Sequence, residues 1–132
     1  MPVLIADNDR AVSGLLGEIL KQAGLSVRFA YDGNEAERMA REPDVDAFVC
    51  DLDMPGATGV EVLEKLVDLP APPPTVVASG FVDRGIEKRL RGLPFVREVL
   101  RKPFDLRLFS ALVQRLSKSA GAGDDISPAS ES

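Results

Sequence analysis

Residues 47–59 read Ala47-Phe48-Val49-Cys50-Asp51-Leu52-Asp53-Met54-Pro55-Gly56-Ala57-Thr58-Gly59. Four apolar residues run straight into an acid. A short segment holding proline and glycine follows, and then Gly59, Val62, Leu63, Leu66 and Val67 recur at helical spacing. A strand with no polar position has both faces buried, which is the pattern of a parallel sheet covered by helices. The strand-then-helix unit recurs on either side. Val3 to Ala6 is an apolar run ending in Asp7-Asn8-Asp9, followed by a helical stripe of Val12, Leu15, Leu16, Ile19, Leu20 and Ala23 that Gly24 stops. Val76 to Ala78 ends in Ser79-Gly80, and Asp83 caps a helix to about Gly92. Phe95 to Leu100 leads into Lys102-Pro103, and Asp105 caps a last helix striped by Leu108, Phe109, Leu112, Val113 and Leu116.

The second unit is less apolar. Leu25 to Tyr31 alternates, which suits an edge strand, and Asn34 with Glu37 has the spacing of a capping box for a helix ending near Arg41 before Pro43. Pro70-Ala71-Pro72-Pro73-Pro74 cannot lie inside a sheet and is read as a stiff connector in preference to a ligand for a proline-binding domain. Strands alternating with helices give an α/β fold with helices on both faces of a parallel sheet.

Composition narrows the chemistry. The chain has 132 residues, enough for one domain with its own core. Sixteen Lys and Arg against twenty-one Asp and Glu give a net charge of −5, so no polyanion-binding balance is present. A single cysteine excludes an internal disulfide and points to a reducing, cytoplasmic setting; no signal peptide and no membrane-crossing run is expected. There is no histidine. Ser-His-Asp triads and histidine-ligated zinc are therefore excluded, leaving carboxylates, hydroxyls, lysine and a hard metal ion.

In open α/β sheets the site lies outside the carboxyl ends of the strands. Asp7, Asp51, Ser79 and Lys102 each end a strand, so they are expected to converge although far apart in sequence. One acid at a strand end is ordinarily a helix cap. Acids on two strands with a lysine on a third point instead to Mg²⁺ and to Asp51 as a nucleophile toward phosphoryl groups. Lys102 and the Ser79 hydroxyl would bind the phosphoryl oxygens, and Gly56 and Gly59 leave room for the group.

These four clusters, in this order and each after its strand, resemble the receiver domain of two-component response regulators over about residues 3–117. The resemblance implies a flavodoxin-like, doubly wound five-stranded parallel sheet of order 2-1-3-4-5 flanked by five helices. It implies that Asp51 is the phosphoacceptor, supplied by a sensor histidine kinase or histidine phosphotransfer protein. Metal ligands would come from Asp7, Asn8, Asp51 and the Asp53 carbonyl; Ser79 would be the switch hydroxyl and Lys102 the phosphoryl-binding lysine, in a cis Lys102-Pro103 peptide. A downstream protein would bind the face made by the fourth helix, fifth strand and last helix; Arg84, Lys88, Arg89, Arg91, Arg97, Arg101 and Lys102 gather there, a charge run read as a solvated face in preference to a dock for an acidic partner. No turnover enzyme, membrane contact or direct nucleic-acid contact is implied.

The chain departs from the family pattern at three positions. Asn8 stands where a second metal-binding acid is usual, which predicts weaker Mg²⁺ binding. Val99 stands where a rotating Tyr or Phe is common, and Gly80 where a slightly larger residue follows the hydroxyl. Asn8 and Val99 support an alternative, a pseudo-receiver that binds partners without phosphorylation. A haloacid-dehalogenase-type phosphatase shares Asp51-Leu52-Asp53, but Pro55 replaces the usual Thr or Val and the only later acidic pair, Asp124-Asp125, lies in the tail. A flavodoxin would need a phosphate loop where Asp7-Asn8-Asp9 stands. The domain is expected over 1–118, with 119–132 a flexible tail or the start of a linker, because the residues from Ser119 have little to bury.

Overall fold

Burial separates the strands as their composition suggests. Every residue of β1 (Pro2–Ala6), β3 (Ala47–Cys50) and β4 (Thr75–Ser79) is buried, whereas β2 (Ser26–Ala30) and β5 (Val96–Arg101) are partly exposed. In the computed structural model, which describes residues 2–121, the strands form one parallel sheet in the order β2-β1-β3-β4-β5. The five helices are α1 (Arg10–Gln22), α2 (Gly33–Ala40), α3 (Gly59–Lys65), α4 (Arg84–Arg91) and α5 (Leu106–Gly121). Side chains alternate across the strands and make two cores. Leu4, Phe48, Cys50 and Val77 face α2, α3 and α4, while Val3, Ile5, Val49 and Val76 face α1 and α5. The fold is the doubly wound, flavodoxin-like one expected. No described helix is long and apolar enough to cross a membrane.

Local signals explain most boundaries. Gly24, at φ +89°, ends α1 in a conformation that favours glycine, and its amide donates to the Lys21 carbonyl. Asp83 caps α4 by accepting from the Ile86 amide, and Asp105 accepts from the Arg107 amide at the start of α5. The proline stretch is a connector: the Pro74 carbonyl accepts from the Phe48 amide and leads directly into β4. Helix α5 is described as far as Gly121, three residues into the segment read as a tail (119–132); residues 122–132 lie outside the described residues.

Several local readings need correction, and two are simple: Leu15 and Leu108, read as part of the apolar stripes of α1 and α5, lie on the outer faces of those helices and are exposed. The cap of α2 is Asp32, not Asn34: the Asp32 carboxylate accepts from the Glu35 amide, and Glu35 reaches back to the Tyr31 amide. Asn34 is already inside the first turn, and Glu37 pairs with Arg41 instead. Val67 is not in the buried stripe of α3, being 56% exposed. The helix tightens to a 3₁₀ turn over Leu66–Asp68, and the shorter period rotates Val67 outward.

Gly33 fixes how α2 meets the segment after β3. Its amide donates to the Pro55 carbonyl, and a Cβ built there would lie 1.9 Å from the Ala57 carbonyl oxygen. A backbone oxygen cannot move aside as a side-chain tip can. Gly33→Ala is therefore expected to lower stability by about 2 kcal/mol, as overpacking does, read as an earlier urea midpoint with an unchanged slope.

Candidate functional site

The carboxyl ends of β1 and β3 adjoin where the chain order of the sheet reverses, which is where crevices form in such folds. Asp7 and Asp51 are the first residues beyond these two strands. Each is held by its backbone: the Asp7 amide donates a hydrogen bond to the Ala30 carbonyl and the Asp51 amide to the Ala6 carbonyl. Both side chains are nearly sealed from solvent, the residues being 2% and 5% exposed. Lys102, arriving from the end of β5, places Nζ 2.8 Å from Asp7 Oδ2 and 3.3 Å from Asp51 Oδ2. Two buried anions thus share one cation. The Lys102-Pro103 peptide is cis, as expected.

The remaining oxygens are oriented by amides. Asp7 Oδ1 accepts from the Asp9 amide at 2.9 Å and Asp51 Oδ1 from the Asp53 amide at 3.1 Å. Ser13 Oγ donates to the Asp7 carbonyl, a buried brace that the sequence did not suggest. Burial pushes the Asp51 carboxyl above the ordinary carboxylate range, and the Asp7 charge adds to this against the opposing Asp53 amide and Lys102. Lys102 is pulled down by burial, but Asp7 and Asp51 outweigh that and leave it raised. The pocket holds a lysine firmly charged beside a carboxylate that ionises reluctantly. Burial pushes the Cys50 thiol up, which removes it as a nucleophile.

Not every expected member joins the cluster. The buried Ser79 hydroxyl donates to the Phe81 carbonyl at 3.3 Å and makes no hydrogen bond to Asp51 or Lys102. It lines an open cleft of about 410 Å³ with Leu52, Asp53, Gly80, Phe81 and Ile86, ample for a phosphoryl group. Asn8 and Asp53 are exposed. Asp9 is a helix cap, accepting from the Ala11 and Val12 amides, so its carboxylate is engaged at the start of α1.

Among the described residues no three acidic, histidine or cysteine side chains are grouped to hold a metal ion. The donors that do adjoin are all oxygens: the carboxylates of Asp7 and Asp51, with the Asn8 amide and the Asp53 carbonyl as neighbours in sequence. Every carboxylate oxygen of the pair accepts one hydrogen bond and keeps a lone pair. That donor set suits Mg²⁺, a hard cation that keeps several waters.

Residues 3–114 match the response regulator receiver domain family. The chain belongs to that family. This receiver domain is 36% identical over 121 residues to the transcriptional regulatory protein PrrA of Mycobacterium leprae, a match covering 91% of this chain and 51% of that protein. It is 32% identical over 117 residues to a protein-glutamate methylesterase/protein-glutamine glutaminase of Caulobacter vibrioides, covering 87% of this chain and 34% of that protein. The chain thus spans a third to a half of the length of these curated relatives. Among solved structures, a CheY-like receiver domain protein from Methanospirillum hungatei superposes with a TM-score of 0.84 at 19% identity, covering 92% of this chain and 97% of that one. The non-phosphorylated HemR receiver domain of Leptospira biflexa gives 0.76 at 27% identity, covering 88% and 93%. Receiver domains bind Mg²⁺ at their acidic pocket and interact with histidine kinases or phosphotransfer proteins. The receiver domain described here brings Asp7, Asp51 and Lys102 together at the corresponding edge of its sheet.

Proposed function

We propose that this receiver domain accepts a phosphoryl group on Asp51 from the phosphohistidine of a sensor histidine kinase or phosphotransfer protein, in the cytoplasm, and so switches partner binding. The observation that carries the reading is the placement of Lys102 Nζ between two buried carboxylates on separate strands. Two buried carboxylates beside each other repel, and groups perturbed in this way cluster at functional sites. An Asp51 oxygen attacks phosphorus, the P–N bond to the donor histidine breaks, and its electron pair leaves with the imidazole nitrogen. Lys102 then balances the oxygens of the new phosphoryl group, and the Ser79 hydroxyl, released from the Phe81 carbonyl, donates to one of them. Asp7, Asp51, Asn8 and the Asp53 carbonyl would hold Mg²⁺, which would supply charge neutralisation for the incoming group. The amide at position 8 weakens that hold without removing an oxygen donor. Transfer is followed at most by slow hydrolysis, and the domain is no turnover enzyme. Its output is a downstream protein docking on the α4-β5-α5 face.

The test is intact mass after incubation with Mg²⁺ and acetyl phosphate, beside Asp51→Ala. One phosphoryl adduct is expected, dependent on Mg²⁺ and absent from the variant. A folded protein that forms no adduct and takes up no beryllofluoride would instead support the pseudo-receiver reading, for which Asn8 is the specific observation.

A further inference from the structure

Position 99, a valine, has no ring to swing, so any signal leaving the pocket toward α4 must travel by another route. The sheet register shows one. Val77 pairs with Val99, and one pleat further Ser79 pairs with Arg101, so the two pairs stand in line on the sheet face toward α4. Ser79 Oγ donates to the Phe81 carbonyl, and Arg101 Nη1 donates to the Val82 carbonyl at 2.9 Å. Two cross-strand neighbours thus hold consecutive carbonyls of one loop. That loop continues into Asp83, the cap of α4. Val82 is anchored in the core while the Phe81 ring is 69% exposed.

Resting on the phosphoacceptor reading above, we infer that Arg101 is a latch that holds the β4–α4 loop in the unphosphorylated arrangement. For its hydroxyl to reach a phosphoryl group on Asp51, Ser79 must leave the Phe81 carbonyl. A shift of the peptide linking Phe81 to Val82 carries the next carbonyl away from Arg101. The guanidinium is then free on the β5 face, and the start of α4 and the Phe81 ring move with the loop. Arg101 acts through Ser79 and the loop, so it is a positioning residue. It opposes phosphorylation because its charged hydrogen bond exists only in the unphosphorylated state, and a ligand of the other state works against it.

Calorimetric titration with beryllofluoride and Mg²⁺, on wild type, Arg101→Ala and Arg101→Lys, tests this. Arg101→Ala is expected to bind beryllofluoride about fivefold more tightly, with Arg101→Lys between it and wild type. Amide exchange over 81–84 in the unliganded protein is expected to speed up in Arg101→Ala and the melting temperature to fall by a few degrees; tighter ligand binding alongside that loss of stability is what a merely structural role would not give. Equal or weaker binding by both variants, with wild type binding normally, overturns the latch and leaves the phosphoacceptor reading standing. Uptake by none of the three proteins overturns both. Arg101→Lys keeps the titration decisive if the alanine variant does not fold.

Discussion

Lys102→Met is expected to lower the free energy of unfolding by about 2–3 kcal/mol, since removing one partner of a buried ion pair leaves an uncompensated charge. Here the variant strands two. Asp7 and Asp51 are 2% and 5% exposed, and Lys102 is the cation that bridges them. The figure sits below the usual range for a fully buried pair because the Lys102 side chain keeps a quarter of its surface in solvent. Methionine preserves the apolar stem, so packing changes little. Adding Asp51→Asn to the same chain is expected to recover more than half of the loss, because one of the two stranded charges is gone. The pH dependence has a definite sign. Lys102 is raised in the folded protein, so its contribution is complete below the ordinary lysine value of about 10.4 and is lost as pH rises through its folded value. Chemical denaturation at pH 7 and above pH 10 reads both effects. A loss under about 0.5 kcal/mol, the level of a surface pair, would mean that water already solvates the carboxylates.

What the sequence made legible follows from which forces act locally. Asp7, Asp51 and Lys102 could be placed because each follows a strand that burial dictates, and a parallel sheet gathers such strand ends at one edge. The cap of α2 could not be read the same way. Asp32 with Glu35 and Asn34 with Glu37 have the same spacing and similar chemistry. What separates them is a tertiary contact, the approach of Gly33 to the Ala57 carbonyl, which puts the glycine at the first helical position. The Ser79 hydroxyl is a comparable case. Its strand position was legible, but not its orientation toward Phe81, because a rotamer answers to a loop whose path no pattern records. Arg101 lay hidden for a further reason. In a run of basic residues nothing in the sequence distinguishes the one that meets a loop carbonyl from those that do not. Charge runs reveal where a face is, and only packing reveals which member is engaged.

Asn8→Asp is expected to tighten Mg²⁺ binding by about 30-fold, equivalent to about 2 kcal/mol at an intermediate effective dielectric. The residue is exposed, so its charge is partly screened; a sealed position would give more. The same substitution is expected to lower stability in the absence of metal by about 1 kcal/mol, because it adds a third anion near Asp7 and Asp51, for which Lys102 is the one paired cation among the described residues. The two changes have opposite signs, and that separates an effect on the metal pocket from an unspecific effect on the fold. Without Mg²⁺ the variant melts below wild type. With Mg²⁺ well above the dissociation constant of the variant but below that of wild type, the order reverses, since a ligand stabilises by RT ln(1 + [L]/Kd). Calorimetric titration of Mg²⁺ and melting curves at graded Mg²⁺ give both readings. If the affinity is unchanged, the side chain at position 8 does not face the metal, and the weakness attributed to Asn8 belongs instead to Lys102, whose ammonium already balances the two carboxylates that the cation would share.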